Sequence, residues 1–133
     1  MDVNKISEKT GIKGKVLQEI IQLAEKYHVE KVVLFGSRAR GDFRERSDID
    51  LAFCGGCSSH FVLDVDEMTS TLLEFDIVDL DKPVREELLE SIKSEGVSLS
   101  MYRQSLSFHR QATMQIRFFI LELVHLHLLQ VLE

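Results

Sequence analysis

Three short apolar segments decide most of what this chain can fold into. Glu30–Phe35 (EKVVLF) is a β-branched run stopped by Gly36, Asp48–Phe53 (DIDLAF) alternates polar and apolar residues, and Phe75–Leu80 (FDIVDL) resembles it. Short runs of this kind, bounded by glycine or polar turns, read as strands. The segments between them have helical spacing. Lys15–Tyr27 (KVLQEIIQLAEKY) sets Val16, Ile20, Leu23 and Ala24 on one stripe with charges opposite. Ser37–Arg40 can begin a short helix, and Gly41-Asp42 signals a turn. Phe61–Leu73 reads as a further amphipathic helix. Pro83 suits the first turn of another, running to about Glu95 with Gly96 as its stop, and Val97–Tyr102 is a weak fourth strand. Helices alternating with strands predict an α/β or α+β domain, a sheet of about four strands with helices packed on it.

That domain is complete at Arg103, so the expected division is 1–103 and a tail over 104–133. The tail has no Asp, Lys, Gly or Pro and carries His109, His125 and His127, three of the five histidines. It reads as one long helix, apolar around most of its circumference, which predicts an interface with a second copy or a partner and hence a homo- or hetero-oligomer. Arg117, Glu122, His125, His127 and Gln130 interrupt its apolar stretch, which argues against a membrane span. His125 and His127 point to different helix faces and read as packing residues. The N-terminus lacks a signal-peptide core, so a cytoplasmic protein is expected. Cys54 and Cys57, in the turn-like string CGGC, have no second pair to complete a zinc site.

The net charge of -6 argues against stable nucleic-acid binding. Arg38, Arg40, Arg44 and Arg46 form the exception, a local basic cluster that calls for an anionic ligand. Beside it stand the residues with chemistry. Gly36-Ser37 follows a strand and opens a short helix, where unpaired N–H groups face outward and can bind phosphate. The Ser37 hydroxyl adds a donor, and Arg38 and Arg40 add charge. Asp48 and Asp50, two apart on a strand, point to one side while Ile49, Leu51 and Phe53 face the core. Such carboxylates repel each other unless a cation relieves them, and Mg²⁺ is the hard ion that takes carboxylates together with substrate phosphates. In the third strand Asp76 has polar parity and Asp79 the opposite one, so Asp76 is the expected third carboxylate.

Gly36-Ser37, ten residues, then Asp48-x-Asp50 is similar to the signature of the DNA polymerase β-like nucleotidyltransferases. GSRARG…SDIDLAF with FDIVDL and EGVSLSMYR resembles the minimal nucleotidyltransferase (MNT) family over roughly Lys15–Arg103. The resemblance implies a polymerase β-like mixed sheet, a nucleoside triphosphate substrate and two Mg²⁺ ions held by Asp48, Asp50 and Asp76. It also implies the antitoxin of a toxin–antitoxin module, moving AMP from ATP to a HEPN-domain toxin. Two alternatives are an aminoglycoside-type small-molecule nucleotidyltransferase and a non-catalytic, partner-binding antitoxin. The tail departs from the family, whose domain ends near Tyr102.

Overall fold

A computed structural model describes residues 2–99; the predicted boundary at Arg103, the tail over 104–133 and the end of the fourth strand lie outside the described residues. In chain order the elements are α1 (Val3–Thr10), α2 (Gly14–Lys26), β1 (Lys31–Phe35), α3 (Gly36–Arg40), β2 (Ile49–Cys54), α4 (Ser58–Met68), β3 (Phe75–Asp79), α5 (Glu86–Glu95) and β4 (Val97–Ser98). The strands form one sheet in the order β3-β2-β1-β4. β1 runs antiparallel to β2 and β4, and β2 runs parallel to β3. The sheet is therefore mixed, as the α/β reading expects.

Strand parity builds the main core. Val32 and Leu34 of β1 and Ile49, Leu51 and Phe53 of β2 share a cluster with Val16, Leu17, Ile20 and Ala24 of α2 and Phe61 and Val65 of α4. Phe53 and Phe61 meet with ring centroids 5.1 Å apart. Each such fully buried aliphatic or aromatic side chain contributes roughly 1.5–3 kcal/mol. The opposite parity is buried too: Val33, Phe35, Ala52 and Cys54 are closed off, as is Ile92 of α5. A Cβ on Gly96 would stand 2.5 Å from Val33 Cγ1, so the end of α5 lies directly on β1. The central strands are thus covered on both faces, and within β2 only Asp50 leaves the apolar layer.

Three boundaries differ from the sequence reading. α1 adds a helix before the predicted ones; Asp2 caps it by accepting from the N–H groups of Asn4 and Lys5, and Gly11 ends it at φ 68°. The helix expected over Phe61–Leu73 is Ser58–Met68. It stops early because Thr69 Oγ1 bonds back to the Val65 carbonyl, while Glu19 accepts from the Ser70 N–H and hydroxyl and ties the following loop to α2. Pro83 precedes α5 instead of sitting in its first turn, where Glu86 and Glu87 place negative charge at the positive end of the helix dipole. Among the described residues no helix is long and apolar enough to cross a membrane.

Candidate active site

The carboxylates converge because of register. β1 and β2 pair Phe35 with Asp50, and β2 and β3 pair Asp50 with Asp76. Asp50 and Asp76 therefore lie side by side across a parallel ladder, about 4.8 Å apart in backbone. Asp48 stands exposed just ahead of β2. Asp79 pairs with Phe53, at the far end of β3, and its carboxylate accepts from the Asp81 N–H. Three residues along a strand is about 10 Å, so Asp79 is removed from Asp50.

Gly36 closes the site from the β1 side. Its φ of 77° lies in the left-handed region, which costs an L-residue about 1–2 kcal/mol. An added Cβ would fall 2.0 Å from Asp50 Oδ2. Glycine is thus required twice over, by its backbone conformation and by the carboxylate packed on it. Ser37 follows at the start of α3, half-buried beside the same strand ends.

Electrostatics mark Asp50. Burial first, then the charges of Asp76 and Asp48, push its carboxyl from 3.8 up to about 6. Arg40 acts the other way and Glu95 adds to the rise. A carboxyl shifted by like charges is a site short of positive charge. Among the described residues no three His, Cys, Asp or Glu side chains close into a ready-made metal cage. An open set of oxygens suits Mg²⁺, which is bound through one or two carboxylates with substrate phosphates and water completing its shell. The carboxylate oxygens of Asp50 and Asp76, adjacent in the register, and of Asp48 two residues before Asp50 are of the type that could enter such a shell.

The two arginines part company. Arg40 is exposed and pairs with Asp42 at 3.2 Å and Glu95 at 2.7 Å. Arg38, expected to serve phosphate, is 2% exposed. Its guanidinium donates to the carbonyls of Thr10, Arg44, Glu45 and Ser47 and stacks over Phe43 with 4.8 Å to the ring centroid. Burial lowers its pKa, yet these carbonyls hold the cation in place. Arg38 is an organiser of the loop that delivers Asp48, and that expectation is corrected. The Ser47 hydroxyl, which accepts from the Arg44 N–H, completes the turn.

Glu95 was missed in the sequence. Its Oε2 accepts from the Gly36 N–H at 3.0 Å and from Arg40 Nη1 at 2.7 Å. The available signal was its position: it is the last residue of α5, where the helix dipole disfavours an acid. Of the cysteines, Cys54 is buried in β2, and the exposed Cys57 has its Sγ 3.0 Å from His60 Nδ1. A groove of about 610 Å³, with Arg38 in its lining, lies between Gly11–Lys13 and Thr69–Leu73. None of Asp48, Asp50 or Asp76 lines it.

Comparison with known proteins agrees with the fold. The family model described as polymerase beta, nucleotidyltransferase matches residues 18–104. A Methanocaldococcus jannaschii protein that carries the provisional name of protein adenylyltransferase is 39% identical over 67 residues, 48% of this chain. The chain spans 65% of that relative's length. A crystal structure described as a toxin-antitoxin with AMP-PNP superposes with a TM-score of 0.53 at 20% identity, over 86% of this chain and 98% of that one. A mutant of the MntA-HpeT toxin-antitoxin gives 0.53 at 19% identity over the same shares, 86% and 98%. These neighbours share the fold. By its matched span, its mixed sheet and the Gly36-Ser37 to Asp50 spacing, the chain belongs to the polymerase beta nucleotidyltransferase family.

Proposed function

We propose that this nucleotidyltransferase moves AMP from ATP, with Mg²⁺, to a hydroxyl of a HEPN-domain toxin and so acts as an antitoxin. The observation that carries the reading is the Phe35–Asp50–Asp76 register, which gathers the carboxylates at the strand end where Gly36-Ser37 begins α3. The protein adenylyltransferase name of the M. jannaschii relative supports a protein acceptor. The toxin-antitoxin neighbours, one with AMP-PNP, support a toxin partner and an adenine nucleotide.

In this reading Asp48, Asp50 and Asp76 would hold the metal, which supplies positive charge to the triphosphate and to the leaving pyrophosphate. The protein's own share is positioning, since phosphoryl transfer asks for little covalent work. Gly36 lets the backbone approach the phosphates, Ser37 offers a hydroxyl donor, and Arg40 offers an exposed cation at the rim. Asp76, at the exposed edge of the site, takes the proton from the acceptor hydroxyl. Arg38 fixes the loop before Asp48 so that the carboxylates keep one geometry. The test is to incubate the purified chain with the protein encoded beside it and Mg–ATP, then read the intact mass of both. One AMP added to a partner hydroxyl is expected. An unmodified partner, with AMP appearing on a small molecule instead, would overturn the protein-acceptor reading.

A further inference from the structure

Two groups assigned above to phosphate are not idle in the nucleotide-free protein. The Gly36 N–H, 3.0 Å away, and Arg40 Nη1, 2.7 Å away, both point at one atom, Oε2 of Glu95. An oxyanion held between a backbone N–H and a guanidinium is the contact that a phosphate oxygen would make. The Glu95 side chain is 17% exposed, so this anion is largely withdrawn from water. Its placement is built into the fold. Gly96, next in sequence, packs so tightly against Val33 and the Ile92 carbonyl that an added Cβ would meet them at 2.5 Å and 2.2 Å. That close approach fixes the end of α5 against β1, three residues before Gly36.

We propose that Glu95 sets the enzyme's affinity for triphosphate by competing for the phosphate seat: its carboxylate occupies the Gly36 N–H and Arg40 until a triphosphate displaces it. The proposal rests on the nucleotide reading above. An entering triphosphate takes over both donors, and the freed carboxylate, next to Asp50, adds to the repulsion felt by an anion arriving without its metal. When pyrophosphate leaves, Glu95 returns to the donors and keeps them satisfied. The device makes binding weaker and release easier, which favours turnover over tight occupation.

Glu95→Gln keeps the shape and removes the charge. By calorimetry with magnesium tripolyphosphate and with Mg–ATP on the full chain, the variant is expected to bind about tenfold more tightly than wild type, the scale of a charge-assisted contact no longer contested. Adenosine, which has no phosphate, should show no change, and that separates competition from a general loosening of the site. Glu95→Ala and a melting curve of each variant guard against misfolding; a folded Ala variant should also bind tripolyphosphate more tightly. Equal or weaker binding by folded variants overturns the proposal and leaves the nucleotide reading standing. Failure of wild type and variants alike to bind either phosphate ligand overturns both.

Discussion

Replacing Asp50 with Asn should make the metal-free protein more stable, although it removes a group at the centre of the site. The carboxyl is pushed up to about 6 from 3.8 by burial and by Asp76 and Asp48. At 1.36 kcal/mol per pH unit the full shift corresponds to about 3 kcal/mol, and solvent screening of this half-buried group reduces that to about 1–2 kcal/mol. The sign follows from the raised value. The folded state binds the proton more tightly than the unfolded state, so this contribution is fully present below pH 3.8 and is lost as pH rises through about 6. At pH 7.5 the wild type holds an uncompensated carboxylate that Asn lacks. The expected gain in melting temperature at pH 7.5 in EDTA is about 5–10 °C, and it should shrink towards zero by pH 4. Millimolar Mg²⁺ should raise the melting temperature of the wild type and leave that of Asp50→Asn unmoved. Differential scanning calorimetry across that pH range is the assay. A variant no more stable than wild type at pH 7.5 in EDTA would refute the reasoning, because burial and the neighbouring carboxylates would then not penalise the charge on Asp50.

Other substitutions probe other parts of the account. Gly36→Ala forces a side chain into φ 77° and to within 2.0 Å of Asp50 Oδ2; it should cost roughly 2–4 kcal/mol and at least a hundredfold in transfer, read by melting and rate. Arg38→Met leaves the carbonyls of Thr10, Arg44, Glu45 and Ser47 without their cation and should cost on the order of 3 kcal/mol in urea unfolding. Arg40→Gln should leave the unfolding midpoint nearly unchanged and weaken Mg–ATP binding roughly tenfold by calorimetry. Asp76→Ala should lower the transfer rate by about 10²–10⁴ with little loss of nucleotide binding, whereas Asp79→Ala, at the far end of β3, should change it less than tenfold in the same assay.

Much of this was legible because it depends on a period of two. Parity along DIDLAF puts Ile49, Leu51 and Phe53 in the core and Asp50 on the other side, and the structure buries the first three completely. Parity also separates Asp76 from Asp79, whose register positions differ by three residues. What parity cannot show is which long side chain turns inward. Arg38 and Arg40 are both arginines in one short helix; only the tertiary fold brings the carbonyls of Thr10 and of the loop through Ser47 around Arg38. Glu95 escaped for a similar reason, since it reaches Gly36 across 59 positions. α1 was readable in principle from Asp2 and Gly11, but its apolar stripe is only Val3 and Ile6. The end of α4 depends on Glu19 capturing Ser70, a contact between α2 and a loop 51 positions away that local composition does not carry.

The central claim is that Asp50 and Asp76, paired by the strand register, and Asp48 just ahead of β2 carry nucleotide transfer. ATP labelled at the α-phosphate, and in a parallel reaction at the γ-phosphate, tests it directly when mixed with Mg²⁺, the partner protein and either wild type or Asp48→Asn. The account predicts that the α-label moves to the partner and the γ-label leaves in pyrophosphate, and that Asp48→Asn abolishes the transfer while remaining folded by circular dichroism. Undiminished α-label transfer by the folded variant, or movement of the γ-label to the partner, would contradict it.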